Sequence, residues 1–391
     1  MLYLELDPGD VQGDLRNGRG GYSSGVGPVE EGVMRSRLND LLGIDVPVVQ
    51  APMAGLGGAE LAVVVSEAGG LGSLPCALLP ADAIRAEVAS IRVRTAKPFN
   101  LNFFCHAKVE ATDVRMEAWT KRLAPYYAEF GIPAGQAAAS RLPPFGDATC
   151  AVVEELRPAV VSFHFGLPAA GLVGRVKATG ATIMSSATSV AEARWLVDHG
   201  CEVVIAQGLE AGGHRGMFLG QDVGRQVGTI ALVPQIVDAV DVPVIAAGGI
   251  ADARGAVAAL ALGADGVQLG TAFLRTPEAN TAPLHRQALA GAADDSTVIT
   301  NVLSGRPARS IVNRAVAELG PWSDLAPPFP LPTAVMAPLR VAAEAAGSDA
   351  FTPLWSGQAA ALGRDVPAGD LVRQLSDDMD ALLQALPDRL R

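Results

Sequence analysis

The chain has 391 residues, a net charge of −11 and 49% hydrophobic residues, enough for one large core with an added part or for two domains. It contains only four lysines, so no basic patch is available to track a phosphate backbone and nucleic acid is not an expected partner. No apolar run reaches the roughly 18–20 residues that cross a bilayer, and abundant Ala, Val and Gly with 5% aromatics favour close strand–helix packing of the α/β class.

Residues 1–33 are polar, Gly- and Asp-rich and lack an apolar period, and read as a disordered extension. They also lack the apolar stretch of a signal peptide, so a cytoplasmic location is expected. A domain start follows at Met34. Apolar runs then recur at 46–51, 70–75, 98–104, 159–165, 181–187, 202–207, 242–248 and 265–270. Helical periods separate most of them, such as "AEARWLVDHG" and "ARGAVAALALG", each stopping at a glycine. Eight nearly all-apolar strands alternating with helices predict a (β/α)8 TIM barrel, with a doubly wound open sheet as the alternative. The barrel is expected over 34–104 and 158–274. Residues 105–157, containing a helix in "DVRMEAWTKRLAPYYAEFG", and 275–391, interrupted by "GPWSDLAPPFPLPTA", are expected to form a smaller, mainly helical lid domain over its mouth. Cys76, Cys105, Cys150 and Cys201 have no CxxC spacing, which argues for reduced thiols and against a zinc site.

The last two strands both end in glycine, in "AAGGI" and "QLGTAF". Glycine lets backbone N–H groups approach a dianion, and a helix N-terminus behind them adds unpaired donors. Gly248, Gly249, Gly270 and Thr271 are therefore candidate phosphate ligands, against the reading that the glycines only permit tight turns. Neither GxGxxG nor a P-loop is present, so the phosphate belongs to a mononucleotide cofactor or a sugar phosphate. In "QAPMAGLGG", Pro52 stiffens the turn and Met53 offers a polarizable side chain that can lie against a flat ring or pack in the core. His214 in "GLEAGGHRG" has neighbours that add no bulk, and imidazole titrates near neutrality, so it is a candidate to accept a proton or, when protonated, to stabilise an anion, against the reading that it is a surface-loop histidine. Arg215 is expected to raise the local positive potential and help attract an anion. His164, at the end of strand four, either shapes the substrate pocket or only packs there. His106 lacks the further ligands that a metal needs. His199 reads as a helix C-terminal residue, and His285 carries no signal.

The segments "QAPMAG", "FNLNFFCH", "AQGLEAGGHRG", "AAGGI" and "GADGVQLGTAFLRT", with "LWSGQAAALGR" further on, resemble the nitronate monooxygenases, formerly 2-nitropropane dioxygenases, from about Met34 to about residue 365. The resemblance implies an FMN-binding barrel with a lid. It assigns the cofactor to Ala51, Pro52, Met53, Asn102, Gln207, Gly212, Gly213, Gly248, Gly249, Gln268, Leu269, Gly270 and Thr271. Gln207 would lie near the polar edge of the flavin, and Gly212 and Gly213 would pass close to its ring. The resemblance makes His214 the catalytic histidine. It implies oxidation of an alkyl nitronate, or of a nitroalkane, by O2 to a carbonyl compound and nitrite. An NAD(P)H-dependent flavin reductase of quinones or enoyl thioesters is the alternative. A barrel like inosine-monophosphate dehydrogenase would need a cysteine nucleophile before strand seven, and residues 208–241 contain none. A non-catalytic flavin- or phosphate-binding protein is the remaining reading. The oligomeric state is not legible.

Overall fold

The computed structural model describes residues 35–109, 115–133 and 142–389; the expected disordered extension lies outside them. In chain order the strands are β1 (Val48–Gln50), β2 (Gly72–Pro75), β3 (Phe99–Phe104), β4 (Val160–His164), β5 (Thr182–Ala187), β6 (Val203–Gln207), β7 (Gly213–His214), β8 (Val244–Ala247), β9 (Gly266–Leu269), β10 (Thr297–Thr300) and β11 (Ala308–Ile311). Eight of them form a parallel sheet in the order β1-β9-β8-β6-β5-β4-β3-β2. A parallel bridge between Val49 and Leu71 joins its two ends, so the sheet closes into the expected barrel. All eight expected strands are present, and the expected seventh and eighth are β8 and β9.

Closure explains the sequence pattern. Residues facing outward pack under helices, and those facing inward meet across the barrel, so both faces select apolar side chains. At the N-terminal end, Val49, Leu71, Met184, Val203 and Ile245 pack with Leu38 and Leu42 of the helix Arg37–Leu42. Ser36 caps that helix and also donates to the Asp265 carbonyl at 2.5 Å. Further up the barrel the inward positions turn polar. In β3, Leu101 and Phe103 face the outer helices, while Asn100 and Asn102, two residues apart on the other face, donate to the Ser162 hydroxyl at 2.8 and 2.9 Å.

Residues of 105–157 and 275–391 share a second core. Trp119, Leu123, Tyr126 and Tyr127 of the helix Arg115–Glu129 share a core with Val335, Met336 and Leu339 of the helix Leu331–Ala345 and with Phe351. A small antiparallel sheet, β10-β11-β7, lies beside them. Two helices assigned to this part belong elsewhere. Asp147–Leu156 packs against the helices Ala81–Arg94 and Ala170–Ala178 on the barrel wall, and Cys150 and Val153 enter that wall's core. A parallel crossover needs a returning helix, and this one supplies it between β3 and β4. Ala368–Arg389 packs against Ala253–Ala261 and Ala59–Glu67, filling the helix position after β9. No helix among the described residues is long and apolar enough to cross a membrane.

Gly72 lies where β2 passes the helix Ala59–Glu67, and a β-carbon there would overlap the Ala62 carbonyl. Backbone cannot yield as a flexible side chain does. Gly72→Ala is therefore expected to cost about 3 kcal/mol or more in urea unfolding, at the upper end of overpacking.

Candidate active site

A cavity of about 720 Å³ opens at the C-terminal ends of the barrel strands, where β/α barrels place their reactive groups. Of the sequence candidates, Ala51, Pro52, Met53, Asn102, His164, Gln207, Gly212, Gly213, His214, Gly248, Gly249, Gln268, Gly270 and Thr271 all line it. Leu269 and Arg215 do not. Leu269 faces the barrel core and contributes its carbonyl, which accepts from Ala51 N at 2.8 Å.

One end of the cavity is a glycine cradle. Gly248 and Gly249 have φ of 113° and 70°, backbone that residues with a β-carbon rarely adopt. The amides of Gly249, Ile250 and Thr271 have no protein acceptor among the described residues. The segment Ser356–Ala359 closes this end. Gly357 N donates to Thr271 Oγ1 at 2.9 Å, and a β-carbon on Gly212 would meet Gly357 N at 2.5 Å. Gln268 Oε1 is buried with no partner. Asn102 spends its Nδ2 on Ser162.

His214 stands at the other end. Its two-residue strand β7 pairs with β11, placing Ala308 opposite His214 and Arg309 opposite Gly213. Its carbonyl accepts from His164 Nε2 and from Gln207 Nε2, each at 3.1 Å. A carbonyl only accepts, so His164 carries its proton on Nε2, and its Nδ1 accepts from the Ser186 hydroxyl at 3.0 Å. Gln207 Oε1 accepts from Gly216 N at 2.7 Å. The Gln207 amide therefore holds the chain at His214 and again two residues on, at Gly216.

The His214 ring is fixed by Ser304, whose hydroxyl lies 2.8 Å from Nε2 and donates onward to the Arg306 carbonyl at 3.4 Å. This pattern assigns the proton to Nε2. No hydrogen bond reaches Nδ1 among the described residues, so it is the basic nitrogen of this cavity-lining side chain. Phe329 and Trp355 pack on the ring with centroids 5.2 Å away. Burial lowers the His214 pKa to about 3, with further depression from His164, Arg306 and His106. Burial likewise lowers His164 to about 4. Both are neutral at pH 7.

Arg215, expected to draw an anion in, points the other way. It is fully buried, and its guanidinium donates to the carbonyls of Gln207 and Gly208 and to Gln226 Oε1. Neighbours on an extended strand face opposite sides, so placing His214 at the cavity turns Arg215 away from it. Ser304, Phe329, Trp355 and Gly357 carried no catalytic signal in the sequence. Neither did His285, which lines the cavity and bonds the Trp355 carbonyl through Nε2 at 3.1 Å. His199 ends its helix as expected. His106 contacts the Leu142 carbonyl, and no cluster among the described residues could hold a metal ion.

The family profile described as nitronate monooxygenase matches residues 35–378. A nitronate monooxygenase of Paraburkholderia phytofirmans is 41% identical over 353 residues, covering 89% of this chain and 96% of that protein. Among solved structures, nitroalkane oxidase from Streptomyces ansochromogenes superposes with a TM-score of 0.82 at 38% identity, covering 89% of this chain and 99% of the other. FabK from Thermotoga maritima superposes with a TM-score of 0.69 at 27% identity, covering 91% and 100%.

The two neutral imidazoles set a pH dependence. The unfolded chain takes up their protons near pH 6.5, whereas the folded chain does so only near 4 and 3. Stability is therefore full above pH 6.5 and falls as the pH drops toward those values. Urea unfolding should show wild type losing about 1–2 kcal/mol more than His164→Gln between pH 7.5 and 5. Equal losses would contradict the neutral assignment of His164.

Proposed function

The chain belongs to the nitronate monooxygenase family and is an oxidoreductase, and from that premise we propose that it oxidises alkyl nitronates with dioxygen, through bound FMN, to a carbonyl compound and nitrite. The family is flavin-dependent. The observation that carries the reading is a neutral imidazole with one unpartnered nitrogen at one end of a cavity that has a glycine cradle at the other.

The residues present fit a flavin mononucleotide. The unpaired amides of Gly249, Ile250 and Thr271 suit the phosphate. Gln268 Oε1, buried and unpartnered, suits a ring or ribityl donor, and Asn102 lines the same wall. A β-carbon on Gly213 would meet nothing within 4 Å, leaving open space beside the His214 backbone for a flat ring. Met53 contributes a soft surface from the loop after β1. Bound flavin supplies the electron transfer and oxygen chemistry.

The chain's own residues supply proton handling and position. With a neutral nitroalkane, His214 Nδ1 accepts the proton leaving the α-carbon while Ser304 holds Nε2–H. A nitronate has already lost that proton, so His214 then serves only to orient it. Phe329 and Trp355 cover the imidazole and limit water. Four free cysteines among the described residues support a reducing, cytoplasmic compartment.

The test is an absorbance titration of the purified protein with FMN, followed by anaerobic mixing with an alkyl nitronate and, separately, with NADH. Flavin bands that respond to nitronate but not to NADH are expected. Bleaching by NADH alone would replace this reading with an NAD(P)H-dependent reductase, and failure to bind FMN would remove the cofactor. His214→Ala should keep FMN affinity within about threefold. It should lower turnover of neutral nitroalkane about 10²- to 10⁴-fold, with a smaller loss on nitronate.

A further inference from the structure

Arg306 precedes β11 by two residues, on the run that brings Ala308 opposite His214. Its guanidinium carbon sits 3.9 Å from the centroid of the Phe165 ring. One terminal nitrogen donates to the Met217 carbonyl. Its Nε is buried with no partner, and no carboxylate pairs with it among the described residues.

Phe165 is the spacer between this charge and the imidazoles. Its ring meets His214 edge-on, with centroids 6.0 Å apart and planes at 87°, and lies 4.5 Å from His164. Its φ is 72°, a backbone conformation that a bulky residue adopts only when its surroundings hold it there. The ring's position is therefore set by packing.

The charge balance on this wall is one-sided. The titratable groups acting on His214 are His164 from β4, His106 after β3 and Arg306 from beside β11, and Arg215 is its own neighbour. Glu192 is the carboxylate whose charge reaches Arg306, but its oxygens are engaged by Thr188 and the amides of Phe218 and Leu219. Glu192 therefore offsets this charge only at a distance and forms no ion pair with it; burial lowers the Arg306 pKa to about 10, so with both imidazoles neutral at pH 7 the guanidinium remains a buried cation behind the His214 ring.

We propose that Arg306 gives the site its preference for the anionic nitronate over its neutral nitroalkane acid. It acts across Phe165 and His214 as a positioning charge that favours a small planar anion in front of the imidazole. The inference rests on the nitronate reading above, and its test separates the two.

The experiment compares wild-type holoenzyme with Arg306→Gln, which keeps a donor for the Met217 carbonyl, and Arg306→Lys, which keeps the charge. Nitrate serves as an unreactive planar anion, its binding read from flavin absorbance. Arg306→Gln should raise the KM for nitronate and the Kd for nitrate about tenfold, while the KM for neutral nitroalkane moves less than about twofold. The acid limb of kcat/KM for nitroalkane should shift to higher pH, because His214 regains basicity. Arg306→Lys should restore most of the anion preference. Equal effects on nitronate and nitroalkane, or no effect, would overturn the proposal. If neither variant folds, wild type decides: nitrate should compete with nitronate and bind at least about tenfold more tightly than nitroalkane, and equal binding would overturn it. Absence of nitronate turnover in wild type would sink the functional reading instead, and nitrate binding would still test the cation.

Discussion

The geometry of the His214 end of the cavity hangs on one carbonyl oxygen, that of His214, which accepts from His164 and Gln207. Those donors stand at the ends of β4 and β6, so two barrel strands grip the backbone of one residue. Because Gln207 also accepts from Gly216, the strand carrying the histidine is held on both sides of the ring. β7 then pairs with β11, and that pairing brings Ser304 to the imidazole and Arg306 to the far side of Phe165. A polar group buried this deeply is costly unless satisfied, which makes the arrangement all-or-none.

Arginine does similar work around the glycine-rich loop. Arg215 donates to the carbonyls of Gln207 and Gly208, Arg309 to that of Leu209, and Arg306 to that of Met217. A guanidinium suits this role because its planar fork can hold two acceptors at once and stays cationic when buried. A segment whose glycines suggest looseness is thus pinned by three side chains. Glu192 and Glu210 act on these guanidiniums from a distance, so among the described residues the three cations spend their hydrogen bonds on loop carbonyls and not on ion pairs.

The barrel was legible because burial on both faces leaves a plain mark, short β-branched runs at regular intervals. The glycine cradle was legible for a related reason: Gly248 and Gly249 occupy backbone that other residues resist. His214 stood out through its flanking glycines and the family resemblance. What stayed hidden depends on long-range register. Ser304 meets His214 across 90 positions, and the pairing of β7 with β11 covers two residues, too few to leave a periodic pattern. Phe329 and Trp355 come from stretches whose only local signals are proline or a short motif. Arg215 was misread because proximity along the chain was taken for proximity to the cavity, although strand alternation argues the reverse. The helices Asp147–Leu156 and Ala368–Arg389 look alike in sequence whether they cover a barrel or a lid, since either surface asks only for one apolar stripe.

The placement of Ala368–Arg389 bears on how the chain reaches this fold. The helix covers the seam beside Ala253–Ala261 and Ala59–Glu67, so residues separated by some three hundred positions complete one wall. During synthesis, the strands near the N-terminal end emerge long before that wall can be finished, and their apolar outer faces must wait. Such distant contacts slow folding, because loop entropy is spent before they form. The chain therefore gains its full protection from aggregation only late in translation.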